Sequence, residues 1–396
     1  MQIRYVLDNA YGTGGTIRSV VNQANALCAE HDVEIASVYR HTDAPAFAID
    51  PRVRLVPLTD LLADGTRRSD PPGAKTRLAN KTRRFGNRLP HRHDVRYRRW
   101  DPVVDATVIR YFWAARDGVL ITTRPGLNLL SAWYGPRRLV RVGQDHMNLT
   151  TYPPGLRAAI VRAYPKLDAV SVLTEHDLAT YREATAGRVR LERIPNGIPP
   201  ARLPPAALEN KVLVAAGRLT KQKGFDLLVE AWSTVAERHP DWQLQIFGWG
   251  AHKDKLAARI GELGLADQVR LMGTTRTLDE HLAGASAYVL SSRFEGLPMV
   301  LLEALTVGLP AVAFDCPTGP AEIIEDGRNG LLIPPEDVPA LADGICRMIE
   351  KPEERRAMGR AALASSERYT IGTVKLAWEK LFAELADRRG GRSTNG

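Results

Sequence analysis

Cysteine is scarce in this sequence: Cys28, Cys316 and Cys346 are odd in number and widely spaced. That pattern argues against a disulfide framework and suits a reducing compartment. Long apolar runs are also missing, since none approaches the ~20 residues needed to span a bilayer. The start Met1-Gln2-Ile3-Arg4-Tyr5 passes directly into a candidate strand, so no signal peptide is expected. We therefore expect a cytoplasmic protein, either free or peripheral at the inner face of the cell membrane. No internal repeat stands out, which sets aside solenoids and arrays. No His/Cys cluster has metal-ligand spacing, so neither a required metal nor another cofactor is expected.

What is present is ordinary for a globular protein of 396 residues, a length sufficient for two domains. Apolar runs recur at Ile3–Leu7, Val119–Thr122, Ala169–Leu173, Val212–Ala216, Leu244–Phe247 and Ala287–Leu290, with amphipathic segments between them. That alternation predicts an α/β protein, with parallel sheets carrying helices on both faces. The stretch from Ile194 to Pro205 is too rich in Pro and Gly for a helix or a central strand, and it marks a linker. We place domains at 1–195 and 196–370, followed by a C-terminal helix and tail at 371–396. In that last segment Ile371, Val374, Trp378, Leu381, Phe382 and Leu385 recur at helical spacing, giving the helix a buried face.

Charge is unevenly spread. Residues 67–99 hold a dense run of Arg and Lys, including Arg83, Arg84 and Arg88, against only Asp70 and Asp94, and they account for much of the net charge of +9. Such a run is a solvated basic insertion, a docking segment for an anionic acceptor or membrane surface, or a nucleic-acid contact. No RNA-binding or helix-turn-helix pattern accompanies its aromatics Phe85, Tyr97 and Trp100, which makes nucleic acid the least favoured of the three.

The most specific signal is Phe294-Glu295-Gly296-Leu297-Pro298, followed by Glu303, two carboxylates with seven residues between them. Pro298 suits a first helical position, which makes Glu295 a loop residue beside free backbone N–H groups. Glu303 then lies in the second turn, roughly 8 Å along the axis. The pair can border one pocket at a helix N-terminus, or it is simply two helix-favouring acids near a positive dipole end. Upstream, Val212–Ala216 runs into Gly217-Arg218-Leu219, and Lys221-Gln222-Lys223-Gly224 opens the next helix. Arg218 offers a planar fork of donors and Lys223 a compact charge where a strand's carboxyl end meets a helix start.

In the N-terminal half, Gly12-Thr13-Gly14-Gly15-Thr16 forms a Gly-rich turn after the first strand. Its backbone could approach a phosphate closely, or it is plain strand-to-helix punctuation. Val140 to Asn148 reads as a short strand ending in Gln144-Asp145-His146-Met147-Asn148. There His146 could position a hydroxyl, with Asp145 or Asn148 orienting it.

Together, Ser291 to Pro298, Glu303-Ala304, Gly308 to Ala313 and the G-R-L-x-x-x-K-G segment at Gly217–Gly224 resemble the donor site of retaining glycosyltransferases of the family 4 type. Cys316-Pro317-Thr318-Gly319-Pro320 and Asp326 to Leu332 are similar to the closing segment of the same family. The match is good from Ile194 to about Pro335 and looser in the first half. The resemblance implies a GT-B fold, two Rossmann-like domains facing each other across a cleft, with the C-terminal helix packed back on the N-terminal domain. It implies an N-terminal domain that binds the acceptor and a C-terminal one that binds a nucleoside-diphosphate sugar, and it favours UDP over GDP or ADP.

By the same resemblance Arg218 and Lys223 hold the donor diphosphate, Glu295 orients the transferred sugar and Glu303 accepts from the ribose, Gly217, Gly296 and Leu297 also belong to the donor site, and Gly14 and Gly15 cap the diphosphate. His146, Arg218, Lys223 and Glu295 are the catalytic candidates for a hexosyl transfer that retains anomeric configuration. No D-x-D stands near these motifs, so no metal is expected at the diphosphate. Expected partners are the nucleotide sugar, a polysaccharide, cell-wall polymer or lipid-linked acceptor, and an anionic membrane surface, with Arg83, Arg84 and Arg88 as its docking residues. The alternatives are a catalytically silent sugar-nucleotide or polymer-binding module, and an adaptor for membrane or nucleic acid driven by the basic stretch.

Overall fold

The computed structural model describes residues 1–60, Asp94 and 102–393. The basic run containing Arg83, Arg84 and Arg88 lies outside the described residues. Two compact units emerge, one of Met1–Gly197 together with the segment from Ile371, the other of Ile198–Thr370.

The first unit is built on strands β1 (Gln2–Asn9), β2 (Asp32–Arg40), β3 (Arg54–Asp60), β4 (Val119–Thr123), β5 (Val140–Gln144), β6 (Ala169–Val172) and β7 (Leu191–Arg193). All pair in parallel, in the order β3-β2-β1-β4-β5-β6-β7. Its described helices are α1 (Gly15–Leu27), α2 (Pro102–Ala114), α3 (Arg124–Tyr134), α4 (Pro154–Ala163) and α5 (Glu175–Ala184).

Successive strand residues point to opposite faces, and both faces here are apolar. Ile3, Tyr5, Leu7, Val119 and Ile121 pack with Val20, Val21, Ala24 and Leu27 of α1. Val6, Ala36, Val38 and Leu120 point the other way, toward Val104, Val108 and Phe112 of α2 and Leu127 and Leu130 of α3.

The second unit repeats the plan with β8 (Val212–Ala216), β9 (Gln243–Phe247), β10 (Val269–Gly273), β11 (Ala287–Leu290), β12 (Ala311–Phe314) and β13 (Gly330–Ile333). These are ordered β10-β9-β8-β11-β12-β13, again parallel. Its helices are α6 (Phe225–Arg238), α7 (Lys253–Glu262), α8 (Leu278–Ala283), α9 (Met299–Thr306), α10 (Pro320–Ile323), α11 (Val338–Glu350) and α12 (Pro352–Ser366). Trp232 of α6 and Leu341 and Ile345 of α11 lie in one core with Leu213, Ala215, Leu244, Ile246, Val289, Val312 and Phe314.

The chain returns to the first unit through α13 (Ile371–Ser393). Val374, Trp378, Leu381, Phe382 and Leu385 are each at most 4% exposed and join the core of Ile3, Tyr5 and α1. Gly197 sits beneath this helix, where a Cβ would approach Ile371 Cδ1 to 2.6 Å.

Two local expectations shift. Pro298 is the cap residue, with extended backbone (φ −70°, ψ 112°), and α9 begins at Met299. Lys221–Lys223 form a separate 3₁₀ turn ahead of α6, because Gly224 takes a left-handed conformation that ends it.

Candidate active site

Both sheets reverse their strand order between their first and fourth strands, β1/β4 in the first and β8/β11 in the second. In open parallel sheets the crevice outside the strand ends at such a reversal is where ligands bind. In the second unit Gly217-Arg218 follows β8 and Ser291–Leu297 follows β11.

Backbone contact fixes these two turns against each other. Gly224 has φ +61°, and a Cβ there would lie 1.9 Å from the Ser291 carbonyl oxygen. Only glycine permits that approach. Around it Ser291 Oγ donates to the Lys223 carbonyl (3.0 Å), the Arg293 N–H to the Gln222 carbonyl (2.8 Å) and Gln222 Nε2 to the Phe294 carbonyl (3.1 Å). The result places Lys223 Nζ 2.6 Å from Glu295 Oε1, with the two side chains 17% and 8% exposed. Ser292 Oγ donates to the same carboxylate oxygen at 2.6 Å. An ammonium carries three donors, so one contact to Glu295 leaves Lys223 further hydrogen-bonding capacity.

A third turn, after β12, holds Glu295 from the far side. The Glu295 N–H donates to the Pro317 carbonyl (2.8 Å), and the Thr318 N–H donates back to the Glu295 carbonyl (3.1 Å). Gly319 sits so close that a Cβ would fall 2.0 Å from the Gly296 carbonyl oxygen. Cys316 beside this turn has its thiol pushed up to about 12 by burial and, secondarily, by the Glu295 charge.

Glu303, in the second turn of α9, is 8% exposed. Tyr288 of β11 donates to the Ala216 carbonyl at 3.2 Å, and its phenol is raised by burial first, then by Glu295, with Glu303 adding a smaller push. Both carboxylates therefore act on one side chain at the strand's end. Arg218 is exposed, and among the described residues its guanidinium makes no hydrogen bond or ion pair.

Arg293 braces the turn from below, donating to Asp226 through two nitrogens (2.9 and 2.8 Å), to Glu336 (2.9 Å) and to the Lys221 carbonyl (2.7 Å). Burial alone would raise the Asp226 carboxyl. The Arg293 fork outweighs it and holds the group below the usual range.

In the first unit, Gly14 and Gly15 are exposed in the turn after β1, and Gly14 caps α1 with φ +145°. No atom lies within 4 Å of where a Gly14 Cβ would stand. His146, just past β5, is 6% exposed, and its Nε2 is buried without a hydrogen-bond partner. Burial, followed by the nearby charge of Arg124, lowers its imidazole to about 3, so the ring is neutral at physiological pH.

Asp145 does not orient it. Its carboxylate instead accepts from the hydroxyls of Tyr152 (2.5 Å), Tyr181 (2.6 Å) and Tyr164 (2.9 Å). Burial still raises the Asp145 carboxyl despite these bonds, and its negative charge helps to raise all three phenols.

The structure thus brings Lys223, Glu295, Gly296, Leu297 and Glu303 to the second unit's strand ends, with Gly217 packed under the Lys223 stem. Gly14, Gly15 and His146 stand at the strand ends of the first unit. Ser292 and Arg293 fall inside the Ser291–Pro298 motif without an assigned role there, while Asp226 and the tyrosine cage around Asp145 carry no sequence signal of their own. Among the described residues, His239, Cys346 and Glu350 cluster closely enough to bind a metal ion, as do Glu30, His31 and Glu379. Each cluster already contains a paired cation, Arg238 on Glu350 and Lys375 on Glu379. No helix among the described residues is long and apolar enough to cross a membrane.

Residues 204–364 match the family described as Glycosyl transferases group 1. An exopolysaccharide phosphotransferase of Streptomyces coelicolor is 36% identical over 401 residues; the match covers 98% of this chain and 41% of that protein. This chain therefore spans less than half the length of that relative. The amylovoran biosynthesis glycosyltransferase AmsD of Erwinia amylovora is 30% identical over 286 residues, covering 69% of this chain and 80% of that protein. This chain belongs to the group 1 glycosyltransferases. Among solved structures, TarM of S. aureus superposes with a TM-score of 0.76 at 18% identity, covering 96% of this chain and 99% of that one. The fold is accordingly GT-B, with two Rossmann-like parallel-sheet units.

Proposed function

We propose that this protein is a retaining hexosyltransferase of the family 4 type, moving a sugar from a nucleoside-diphosphate sugar, UDP-linked, to a polysaccharide, cell-wall polymer or lipid-linked acceptor. The observation that carries this reading is the Lys223–Glu295 contact of 2.6 Å at the reversal of the second sheet, with the Arg218 guanidinium exposed on the neighbouring turn. The exopolysaccharide and amylovoran names of the two relatives support the acceptor class.

In this reading Arg218 and Lys223 bind the diphosphate and stabilise the charge that grows on it as the bond from the anomeric carbon to the phosphate oxygen breaks. Such stabilisation accelerates transfer because it is stronger in the transition state than in the ground state. The acceptor oxygen bonds to the anomeric carbon on the same face, and its proton passes to the departing diphosphate. Glu295 orients hydroxyls of the transferred sugar, Glu303 accepts from the ribose, and neutral His146 positions the acceptor hydroxyl. Arg218 and Lys223 supply the positive charge, so turnover proceeds in the presence of a chelator.

The test is thermal stabilisation by UDP, GDP and ADP in wild type and Lys223→Ala, because a ligand that binds only the folded state raises stability by mass action. Stabilisation by UDP that disappears in the variant is the expected outcome. Equal stabilisation of both proteins, or of neither, would remove the donor assignment.

A further inference from the structure

At the sheet reversal of the first unit the backbone takes a conformation that ordinary side chains avoid. Arg124 has φ +71° where β4 turns into α3. Non-glycine residues held in this region cost folding energy and cluster at functional sites. The position is closely anchored, since Thr123 pairs with Gln144 across β4 and β5, and Thr123 Oγ1 donates to the Val6 carbonyl of β1 at 3.2 Å. Arg124 therefore stands between the strand ends that carry the Gly-rich turn on one side and His146 on the other.

Its guanidinium is half-buried and makes no hydrogen bond or ion pair among the described residues. The nearby carboxylates are engaged elsewhere. Asp94 accepts the Gly126 N–H at 3.2 Å, and Asp145 is enclosed by its three tyrosine hydroxyls. Beside Arg124 lies His146, with its buried and unpartnered Nε2; Arg124's charge acts on that ring and on Tyr152. A fork of donors, a neutral imidazole and a neighbouring turn of open glycine backbone together suit a tetrahedral oxyanion.

We propose that Arg124 and His146 hold a phosphate group at the reversal of the first sheet. The phosphate is one carried by the acceptor, and in this respect the inference rests on the transferase reading. Arg124 keeps its strained backbone because the side chain is needed there.

The experiment uses the full chain as wild type, Arg124→Gln and Arg124→Gly. Inorganic phosphate is titrated while the His146 imidazole is followed by NMR. In wild type phosphate shifts the His146 resonances, and in both variants its apparent affinity falls at least tenfold. Arg124→Gly relieves the backbone, so its melting temperature holds or rises while phosphate affinity is lost, a pairing that a purely structural arginine does not give. In both variants KM for a phosphate-bearing acceptor rises tenfold while KM for the sugar nucleotide is unchanged. The proposal is overturned if phosphate leaves His146 unmoved in wild type, if it moves His146 equally in all three proteins, or if KM for the phosphate-bearing acceptor stays unchanged in the variants. Absence of turnover with every sugar nucleotide in wild type sinks the transferase reading instead, and the phosphate titration still judges Arg124.

Discussion

Glu295 Oε1 accepts from both Lys223 and Ser292 while the backbone of the same residue is bonded on both sides to the Pro317–Thr318 turn. A carboxylate held this way has little freedom to turn, which suits it to orienting hydroxyls. Lys223→Ala and Glu295→Ala should each lower kcat about 10²–10³-fold, the usual cost of losing one preorganised electrostatic partner. Circular dichroism should show both variants folded, and wild-type rates in either would remove that residue from the machinery. His146 makes a different prediction. Its imidazole lies near 3 in the folded protein against an ordinary value of 6.5, so below 6.5 the unfolded chain binds a proton that the folded one refuses. Its contribution to stability is complete above about pH 6.5 and is lost as pH falls toward about 3. Between about pH 6.5 and about pH 5, wild type should lose about 2 kcal/mol more than His146→Gln. Equal losses by chemical denaturation would mean that His146 is protonated in the folded state.

Among elements, α13 contributes the largest fully buried side chain of the first unit's core, Trp378, stacked obliquely on Phe382 with ring centroids 5.6 Å apart. Trp378→Ala should cost about 3–5 kcal/mol through lost contacts and the cavity left behind, measured as a shift in denaturation midpoint. This helix was legible in the sequence because its apolar residues recur at helical spacing, and strands such as Ile3–Leu7 and Val212–Ala216 were legible because strands buried on both faces become apolar runs. The residues around Glu295 were legible only through their motif. Asp145 was misread because its partners Tyr152, Tyr164 and Tyr181 come from three separate turns and helices, a convergence no local spacing reveals. Arg124 gave no signal, since a positive φ belongs to the backbone and arginine does not advertise it. Strand β2 escaped notice because Asp32, Glu34 and Arg40 interrupt its apolar residues, although Glu34 is buried beneath Tyr111.

For the whole molecule, the net charge of +9 is concentrated around Arg83, Arg84 and Arg88. We propose that this stretch docks on anionic lipid. Replacing the three with glutamine should reduce sedimentation with anionic vesicles at low salt, where charge attraction is least screened. Sedimentation equal to wild type would assign the stretch another role. The order of the two units along the chain carries a consequence for synthesis. The second unit, Ile198–Thr370, lies within the sequence of the first, whose core is completed by α13. As the polypeptide leaves the ribosome, the surface of Val20, Val21 and Leu27 must wait for Trp378 and Phe382 while the whole second sheet emerges and closes. The unit translated first is thus finished last, and during that interval its uncovered apolar face is the part of the nascent protein most in need of a chaperone.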